Sequence, residues 1–338
     1  MAVIPASVVE SNFSPRLIAL GYELIYRGKV GELYRAPGKD GQLLMVRSDR
    51  LSIFDFVLPC TVDFKGEVLI ALTHFWLNLF PDVPNHLLAW GTDEERWAAA
   101  GWKMEDVMEL PLERILLVKA DDVWPYEMIY RHHIGGSVWK QYLSDGTACG
   151  NKLPPGLTKW QKLESPIFTP TTKEESGHDV AVDIAKYDEE GGDFGMMLSQ
   201  VCGDFYARAY EYAANRGILI LDTKFEISPD GILLDEVLTP DSSRFTTVAS
   251  LEAAISAGTD PAFYDKEPVR IWGRQLETPW GIGLHELDPE NDEHLDFVAS
   301  LDVPGNVIAQ CSQRYLELPE MLTGKSLGMY QQHDLLVP

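Results

Sequence analysis

The residues best suited to chemistry lie between positions 222 and 244, in the run DTKFEISPDGILLDEVLTPDSSR. Asp222, Lys224 and Glu226 alternate along a predicted strand, so their side chains share one face. Asp235 follows on the returning strand, where it can lie opposite Glu226. Two facing carboxylates repel each other unless a cation lies between them. A magnesium ion bound to nucleotide phosphates is a natural candidate for that cation. A solvated pair of surface acids is the alternative interpretation.

The loop after Asp235 favours ligand binding over the solvated pair. It places Asp241, Ser243 and Arg244 within one turn, and a guanidinium is suited to a bidentate grip on phosphate or carboxylate.

A second candidate segment is RHHIGGSVWK, which begins at Arg131. Here Ser137 is predicted to cap a helix whose free N–H groups face an anion. Since glycine–serine helix starts are common, an ordinary helix start is the alternative.

Three further segments carry candidate side chains. Lys29, in the turn of the first hairpin, could reach the phosphates of a nucleotide, although the chain lacks the GxxxxGK[ST] pattern of a P-loop and the GxGxxG of a Rossmann fold. Asp55 belongs to a polar cluster in SDRLSIFDF. Lys173 and Asp179 lie in the loop sequence PIFTPTTKEESGHD.

Alternating short strands and helices must position these residues, which predicts an α+β fold with antiparallel sheets. Residues 144–180 are predicted to be mostly loop, and the acidic residues 277–303 to be an insertion or flexible surface segment. The remaining predicted elements are the strands Glu23–Arg27, Gly31–Tyr34, Leu43–Arg47, Arg114–Lys119, Glu127–Arg131, Ile218–Phe225 and Ile232–Val237, and the helices Val68–Phe80 and Phe194–Asn215.

Composition restricts the class of partner. The 338 residues include 28 basic and 52 acidic side chains, for a net charge of −24. Because no basic stripe stands out, nucleic acid is not expected as a partner. No apolar run reaches the roughly 18 residues of a membrane helix, and no secretory signal is visible, so we expect a soluble cytoplasmic protein that acts on small molecules. The sequence is compatible with a homo-oligomer.

Together these segments resemble the phosphoribosylaminoimidazole-succinocarboxamide synthase (SAICAR synthase) family, over most of the chain. The motifs GKVGELY, SDRLSIFDFVLP, GGSVWKQY, DGTACGNKLPPGL and PIFTPTTKEE occur in the family's order. The most specific pair is DTKFE followed about a dozen residues later by DEVLTPDSSRF. The resemblance implies two antiparallel sheets flanking an ATP cleft, related to kinase and ATP-grasp architecture. We predict a β-rich lobe over residues 1–118 and an α+β lobe over 119–338, with a catalytic hairpin at 218–245 and a C-terminal helical extension.

The resemblance also implies roles for individual residues. Lys29 and Lys173 would lie near the ATP phosphates, and Glu226 and Asp235 would bind Mg²⁺. Asp55 and Asp179 would line the region where the amine donor meets the substrate. The residues implied to hold the ribotide are Arg131, Ser137, Asp222, Lys224, Asp241, Ser243 and Arg244. Of these, Asp222, Lys224 and Asp241 are the catalytic candidates.

The implied reaction is ATP-dependent ligation of L-aspartate to carboxyaminoimidazole ribotide through an acyl phosphate, giving SAICAR, ADP and phosphate. One alternative is a paralogous amide ligase that uses another acid or amine. A second alternative is a nucleotide-binding regulatory protein without turnover, which the retention of Lys29, Lys173, Glu226 and Asp235 disfavours.

Three positions depart from the family's pattern. Gly31 stands where a basic residue is expected, Val180-Ala181-Val182 replaces the end of an HDENI-like run, and Thr246 replaces a Trp. Gly31 either removes a phosphate contact or makes room for a different nucleotide or another side chain, such as Arg27 or Arg35. A backbone bend that only glycine tolerates is a further hypothesis.

Overall fold

The strands are short, as the sequence predicts, and nearly all run antiparallel to their neighbours. The computed structural model describes residues 14–173 and 180–337. In chain order its strands are β1 (Glu23–Arg27), β2 (Gly31–Arg35), β3 (Gln42–Arg47), β4 (Arg50–Ile53), β5 (Phe56–Thr61), β6 (Leu87–Trp90), β7 (Ile115–Lys119), β8 (Tyr126–His133), β9 (Thr147–Ala148), β10 (Asn151–Lys152), β11 (Lys162–Phe168), β12 (Thr171–Thr172), β13 (Ile218–Ile227), β14 (Leu233–Leu234) and β15 (Ser243–Thr247).

The first sheet has the strand order β1-β2-β3-β7-β6 and is covered on both faces. Because side chains alternate along a strand, Leu44 and Val46 of β3 enter one hydrophobic cluster with Trp97. Met45, between them, enters the main cluster on the opposite face. The three predicted strands at the start of this sheet are therefore confirmed; β2 and β3 are largely buried, whereas β1 is partly exposed.

The second sheet has β13 at its centre. Its strand order is β11-β8-β13-β14, with β12 also paired to β8 and β15 also paired to β13. Phe225 of β13 lies in the main hydrophobic cluster together with Trp76 and with Met45 of the first sheet. The two sheets thus share one core, which crosses the boundary at residue 118; the division into two lobes stays a prediction.

Helices pack against the sheets and form most of the chain after β15. α2 begins at Lys65, three residues before the predicted start, and α6 covers the predicted helix 194–215 after a break at Gly192 but ends one residue earlier, at Ala214. In chain order the helices are α1 (Ser14–Ala19), α2 (Lys65–Leu79), α3 (Glu94–Ala99), α4 (Met104–Val107), α5 (Ser137–Asp145), α6 (Ile184–Ala214), α7 (Val248–Ala257), α8 (Glu267–Gln275), α9 (Asp292–Ala299), α10 (Gly305–Thr323) and α11 (Leu327–His333).

Two segments predicted to be irregular contain regular elements that the sequence did not predict. Residues 144–180 contain the seven-residue strand β11, which pairs with β8. Residues 277–303 form a 3-10 turn and α9, and they bury Leu284 and Val298 in the main core. Both segments have few apolar residues at irregular spacing, so neither shows the periodicity on which the prediction depends. No helix of the described residues is long and apolar enough to cross a membrane.

Candidate active site

Strand β13 carries three charged side chains along one face. Asp222, Lys224 and Glu226 alternate with the buried residues Thr223 and Phe225, whose side chains enter the other side of the sheet. At roughly 3.3 Å per residue, Asp222 and Glu226 are about 13 Å apart along the strand. The predicted common face is confirmed, and it has two ends with different surroundings.

We call Arg131, Asp222 and Arg244 the arginine end. The two arginines lie opposite Asp222 on β8 and β15, one on each side of β13. Both guanidinium groups donate hydrogen bonds to Asp222 Oδ2, and Arg131 Nε also donates to Thr169 Oγ1 at 3.0 Å. Burial lowers the pKa of Arg131, and the nearby Arg244 adds to the effect while Asp222 opposes it. Two cations share one carboxylate here, so the cluster favours an added anion.

The GGS segment lies beside the arginine end. Gly136 has φ +62°, a backbone conformation that favours glycine, and a Cβ at this position would make a tight contact of 3.1 Å with Arg244 Nη1. The prediction that Ser137 caps the helix is wrong, because Gly136 is the N-cap residue and no side chain caps α5. Ser137 is instead the first helical residue, and its side chain is exposed.

The remaining residues of the predicted ribotide set are arranged differently. Lys224 Nζ donates to Glu127 Oε1 at 2.7 Å, at the middle of the β13 face. Ser243 lies opposite Thr223, with 2.7 Å between their hydroxyl oxygens, on the buried side of the sheet. The structure therefore brings Lys224 to the charged face and keeps Ser243 behind it.

Asp241 is buried behind the loop that leads to Arg244. Its side chain is 4% exposed, with Lys65 Nζ 2.5 Å from Oδ2 and Lys266 Nζ 3.6 Å from Oδ1. Tyr315 Oη also donates to Oδ1, at 2.6 Å. Burial opposes ionisation of Asp241, but the two lysines outweigh it and lower its pKa. The carboxylate anchors the loop from the protein interior.

We call Glu226, Asp235 and Glu236, with the bases Lys173 and Arg47, the carboxylate end. Lys173 forms an ion pair with Glu226, and Arg47 Nη2 donates to Asp235 Oδ1. Arg47 Nε lies 3.6 Å from Glu236 Oε2. Three acids thus face two bases.

The pKa values follow from this crowding. Burial and the charge of Asp235 raise the pKa of Glu226. Burial raises the pKa of Glu236 to about 7, against the opposing effect of Arg47. Burial also opposes ionisation of Asp235, but Arg47 outweighs it and lowers the pKa.

The predicted register between Glu226 and Asp235 is wrong by one residue. Glu226 pairs with Leu234, and β14 ends there. Asp235 has φ +56°, a left-handed conformation that stops the strand. Non-glycine residues seldom adopt it, and such strain concentrates at functional sites. The two carboxylates are still close enough to influence each other's ionisation.

The carboxylate end is suited to a magnesium ion that phosphates also coordinate. Among residues 14–173 and 180–337, no three His, Cys, Asp or Glu side chains converge as a complete metal cage. Mg²⁺ is usually held by one or two carboxylates, with phosphates and water completing its shell. Glu226 and Asp235 supply that kind of donor set, and the excess of acid over base at this end favours a cation.

Lys29 and Asp55, predicted from separate motifs, form an ion pair. Lys29 lies in the turn between β1 and β2, and Asp55 in the turn between β4 and β5. Buried Arg50 donates to the backbone oxygens of Gly28 at 3.1 Å and Lys29 at 3.2 Å, which fixes the first turn. The structure thus brings these two predicted residues together.

Several residues at the site carry no recognisable motif. Arg47, Glu236, Lys65 and Lys266 were missed because their contacts come from distant parts of the chain. A lysine at the start of an apolar helix gives no sign that its ammonium group meets an acid far along the sequence. Asp179, predicted to line the amine-donor region, lies outside the described residues.

The chain matches known proteins over most of its length. The sequence model described as SAICAR synthetase matches residues 24–287. A phosphoribosylaminoimidazole-succinocarboxamide synthase of Maridesulfovibrio salexigens is 37% identical over 311 residues, covering 90% of this chain and 95% of that protein.

Solved structures agree with the sequence matches. The SAICAR synthase of Saccharomyces cerevisiae, complexed with SAICAR, has a TM-score of 0.73 and 31% identity, covering 94% of this chain and 99% of that one. A SAICAR synthetase in complex with ADP shares the fold, with a TM-score of 0.59 and 19% identity, covering 90% of this chain and 99% of that chain. The resemblance seen in the motifs is confirmed: this chain belongs to the SAICAR synthetase family.

Proposed function

We propose that the chain ligates L-aspartate to carboxyaminoimidazole ribotide in the cytoplasm, with ATP converted to ADP and phosphate. The observation that carries this proposal is the single face of β13, which has an excess of basic side chains at the arginine end and of acidic side chains at the carboxylate end. A ligase of this type must hold an anionic ribotide beside a magnesium nucleotide, and the two ends offer those two environments.

The ribotide is assigned to the arginine end. Arg131 and Arg244 share one carboxylate, Asp222, so a phosphate or carboxylate of the ligand would find donors already in place. Their fork geometry suits bidentate binding of such groups. Support comes from the yeast relative, which was solved with SAICAR bound; SAICAR is the ribotide product of the proposed reaction.

The nucleotide is assigned to the carboxylate end, with Lys29 and Lys173 near its phosphates. Glu226 and Asp235 would hold Mg²⁺, which neutralises charge on the transferred phosphoryl group. Lys173 contacts Glu226, so its ammonium group would lie within reach of a phosphate bound beside that carboxylate. Support comes from a distant relative of the same fold that was solved with ADP.

The order of the chemistry follows from the low reactivity of a carboxylate. An oxygen of the ribotide carboxylate attacks the terminal phosphorus of ATP, and the bond to ADP breaks, which leaves an acyl phosphate. The amine of aspartate then attacks the acyl carbon, loses a proton, and expels phosphate as the amide forms. Lys224, midway between the two ends, supplies positive charge where the phosphoryl group moves. Asp222 orients the two arginines, and Asp241 holds their loop.

The proposal is tested by ADP release from the purified protein with ATP, Mg²⁺ and the carboxyaminoimidazole ribotide, screened against a panel of amino acids. We expect release to require both the ribotide and aspartate. Release with a different amine would identify a paralogous ligase instead. Nucleotide binding with no release under any combination would identify a regulatory protein.

A further inference from the structure

Gly31 and Arg47 face each other on neighbouring strands. They are direct partners in the register of β2 and β3. A Cβ added to Gly31 would lie 2.0 Å from Arg47 Nη1 and 3.1 Å from Arg47 Cζ, far inside the contact limit. The guanidinium of Arg47 therefore occupies the space where a side chain at position 31 would begin.

The space that Arg47 occupies explains the glycine at position 31, and the backbone conformation does not. Gly31 lies in a regular strand and is absent from the positive-φ glycines, so its backbone would accept any L-residue. The hypothesis of a glycine-only bend is thus wrong. The other candidates for the space are engaged elsewhere: Arg27 lies 3.2 Å from Glu32, and Arg35 lies 3.5 Å from Glu23.

Arg47 extends from the first sheet to the acids beyond β14 in the second. Its side chain is 7% exposed and meets Asp235 and Glu236. Arg47 Nε and Glu236 Oε2 are buried, and neither has a hydrogen-bond partner within the described part of the chain. A buried charged pair with unused hydrogen-bonding capacity adds little to stability, whereas it suits a site that a polar ligand completes.

From this geometry we propose that Arg47 replaces the cation missing at position 31 and holds Asp235 and Glu236 for the phosphates of a bound nucleotide. The proposal rests on the proposed function, and it adds a positioning residue that no motif identifies. Without Arg47, Asp235 and Glu236 would lose the one guanidinium that contacts both of them, and Lys173 is paired with Glu226. A polyphosphate would then enter a site with uncompensated negative charge.

The experiment tests whether an arginine on β2 can supply the positive charge that Arg47 supplies from β3. Binding of ADP with and without Mg²⁺ is measured by calorimetry for wild type, Arg47→Ala, Gly31→Arg and the double variant Gly31→Arg/Arg47→Ala. We expect Arg47→Ala to weaken Mg-ADP binding by about tenfold to a hundredfold, as for other groups that orient metal ligands. Gly31→Arg alone should also weaken it, because the new side chain collides with Arg47.

The double variant decides between positioning and mere structural support. Once Arg47 is removed, an arginine at position 31 can enter the vacated space, and we expect Mg-ADP affinity to recover to within about threefold of wild type, a strong departure from additivity. Ribotide affinity should stay unchanged in all four proteins. Arg35→Ala, which removes an exposed arginine from the same sheet, is the matched control and should leave Mg-ADP binding intact.

The contrary results are equally distinct. Wild-type affinity in Arg47→Ala, or a double variant that binds as weakly as Arg47→Ala, would overturn the role of Arg47. Should Arg47→Ala fail to fold, Arg47→Lys keeps the charge without the fork and should bind Mg-ADP at an intermediate level; unchanged binding would count against the role. A wild-type protein that does not bind Mg-ADP at all would overturn the proposed function itself.

Discussion

The two ends of the β13 face are built from the same kinds of side chain with opposite charge excess. At the arginine end, Arg131 and Arg244 surround the single carboxylate of Asp222. At the carboxylate end, three acids form ion pairs with Lys173 and Arg47. The charge excess at one end therefore suits an anion and that at the other a cation, although Asp222 and Glu226 lie only four residues apart on one strand.

The difference comes from what flanks the strand. Beside Asp222, β8 and β15 each place an arginine at the paired position. Beside Glu226, the short β14 ends at Leu234, and the left-handed Asp235 begins an acidic turn. Thus a strand with a simple alternating pattern acquires two chemical environments from its neighbours, which the pattern itself does not encode.

The largest expected effect tests the carboxylate end. Asp235→Asn keeps the shape of the side chain and an acceptor for Arg47, but it removes a charged metal ligand. We expect turnover to fall by about two to four orders of magnitude, since the metal contributes several kcal/mol of transition-state stabilisation. Steady-state ADP release across a magnesium titration measures this. The control is Asp230→Asn, which changes an exposed acid of the same hairpin. Near-normal turnover of Asp235→Asn at limiting magnesium would reject Asp235 as a metal ligand.

The second prediction tests whether buried Asp241 stabilises the loop that leads to Arg244 of the arginine end. Asp241→Asn leaves the buried lysines Lys65 and Lys266 without their carboxylate. We expect the free energy of unfolding to fall by about 3 kcal/mol, because an uncompensated buried charge is strongly destabilising. Urea denaturation measures the change, with Asp230→Asn expected within about 0.5 kcal/mol of wild type. Unchanged stability of Asp241→Asn would mean that Asp241 serves the ligand rather than the loop.

The third prediction separates the ligands of the two ends. Arg244→Lys keeps the positive charge but loses the bidentate fork. We expect ribotide binding to weaken by about 2 kcal/mol, while ATP binding changes little. Calorimetric titration of each ligand measures both effects, with Arg274→Lys as a half-exposed arginine control on α8. An equal loss for ribotide and ATP would show that the two ends do not bind separate ligands.

The smallest expected effect concerns the edge of the arginine end. Since Ser137 caps no helix and its side chain is exposed, Ser137→Ala should leave the melting temperature nearly unchanged. If its hydroxyl donates to the ribotide, binding should weaken by about 1 kcal/mol, the usual contribution of a neutral hydrogen bond. Thermal melting and ribotide titration together measure this. A large drop in melting temperature would instead give Ser137 a structural role.

Local patterns predicted much of the fold and part of the site. Strands β1, β2, β3 and β13 and the helix α2 lie within a few residues of their predicted bounds, because each has apolar residues at its own period. The common face of Asp222, Lys224 and Glu226 needed only the alternation of a strand. The strand β11 within 144–180 and the helix α9 within 277–303 were not predicted, because tertiary contacts order them.

The sequence by itself determined the family, the main elements and the strand that carries the charged face, since these depend on spacing along the chain. Only the tertiary structure decided which charges meet: Arg47 with Asp235 across two sheets, and Lys65 with Asp241 beneath the loop. It also assigned the space at Gly31 to Arg47. Ion pairing and steric exclusion depend on distances in space, and residues 188 positions apart, such as Arg47 and Asp235, leave no local trace of their contact.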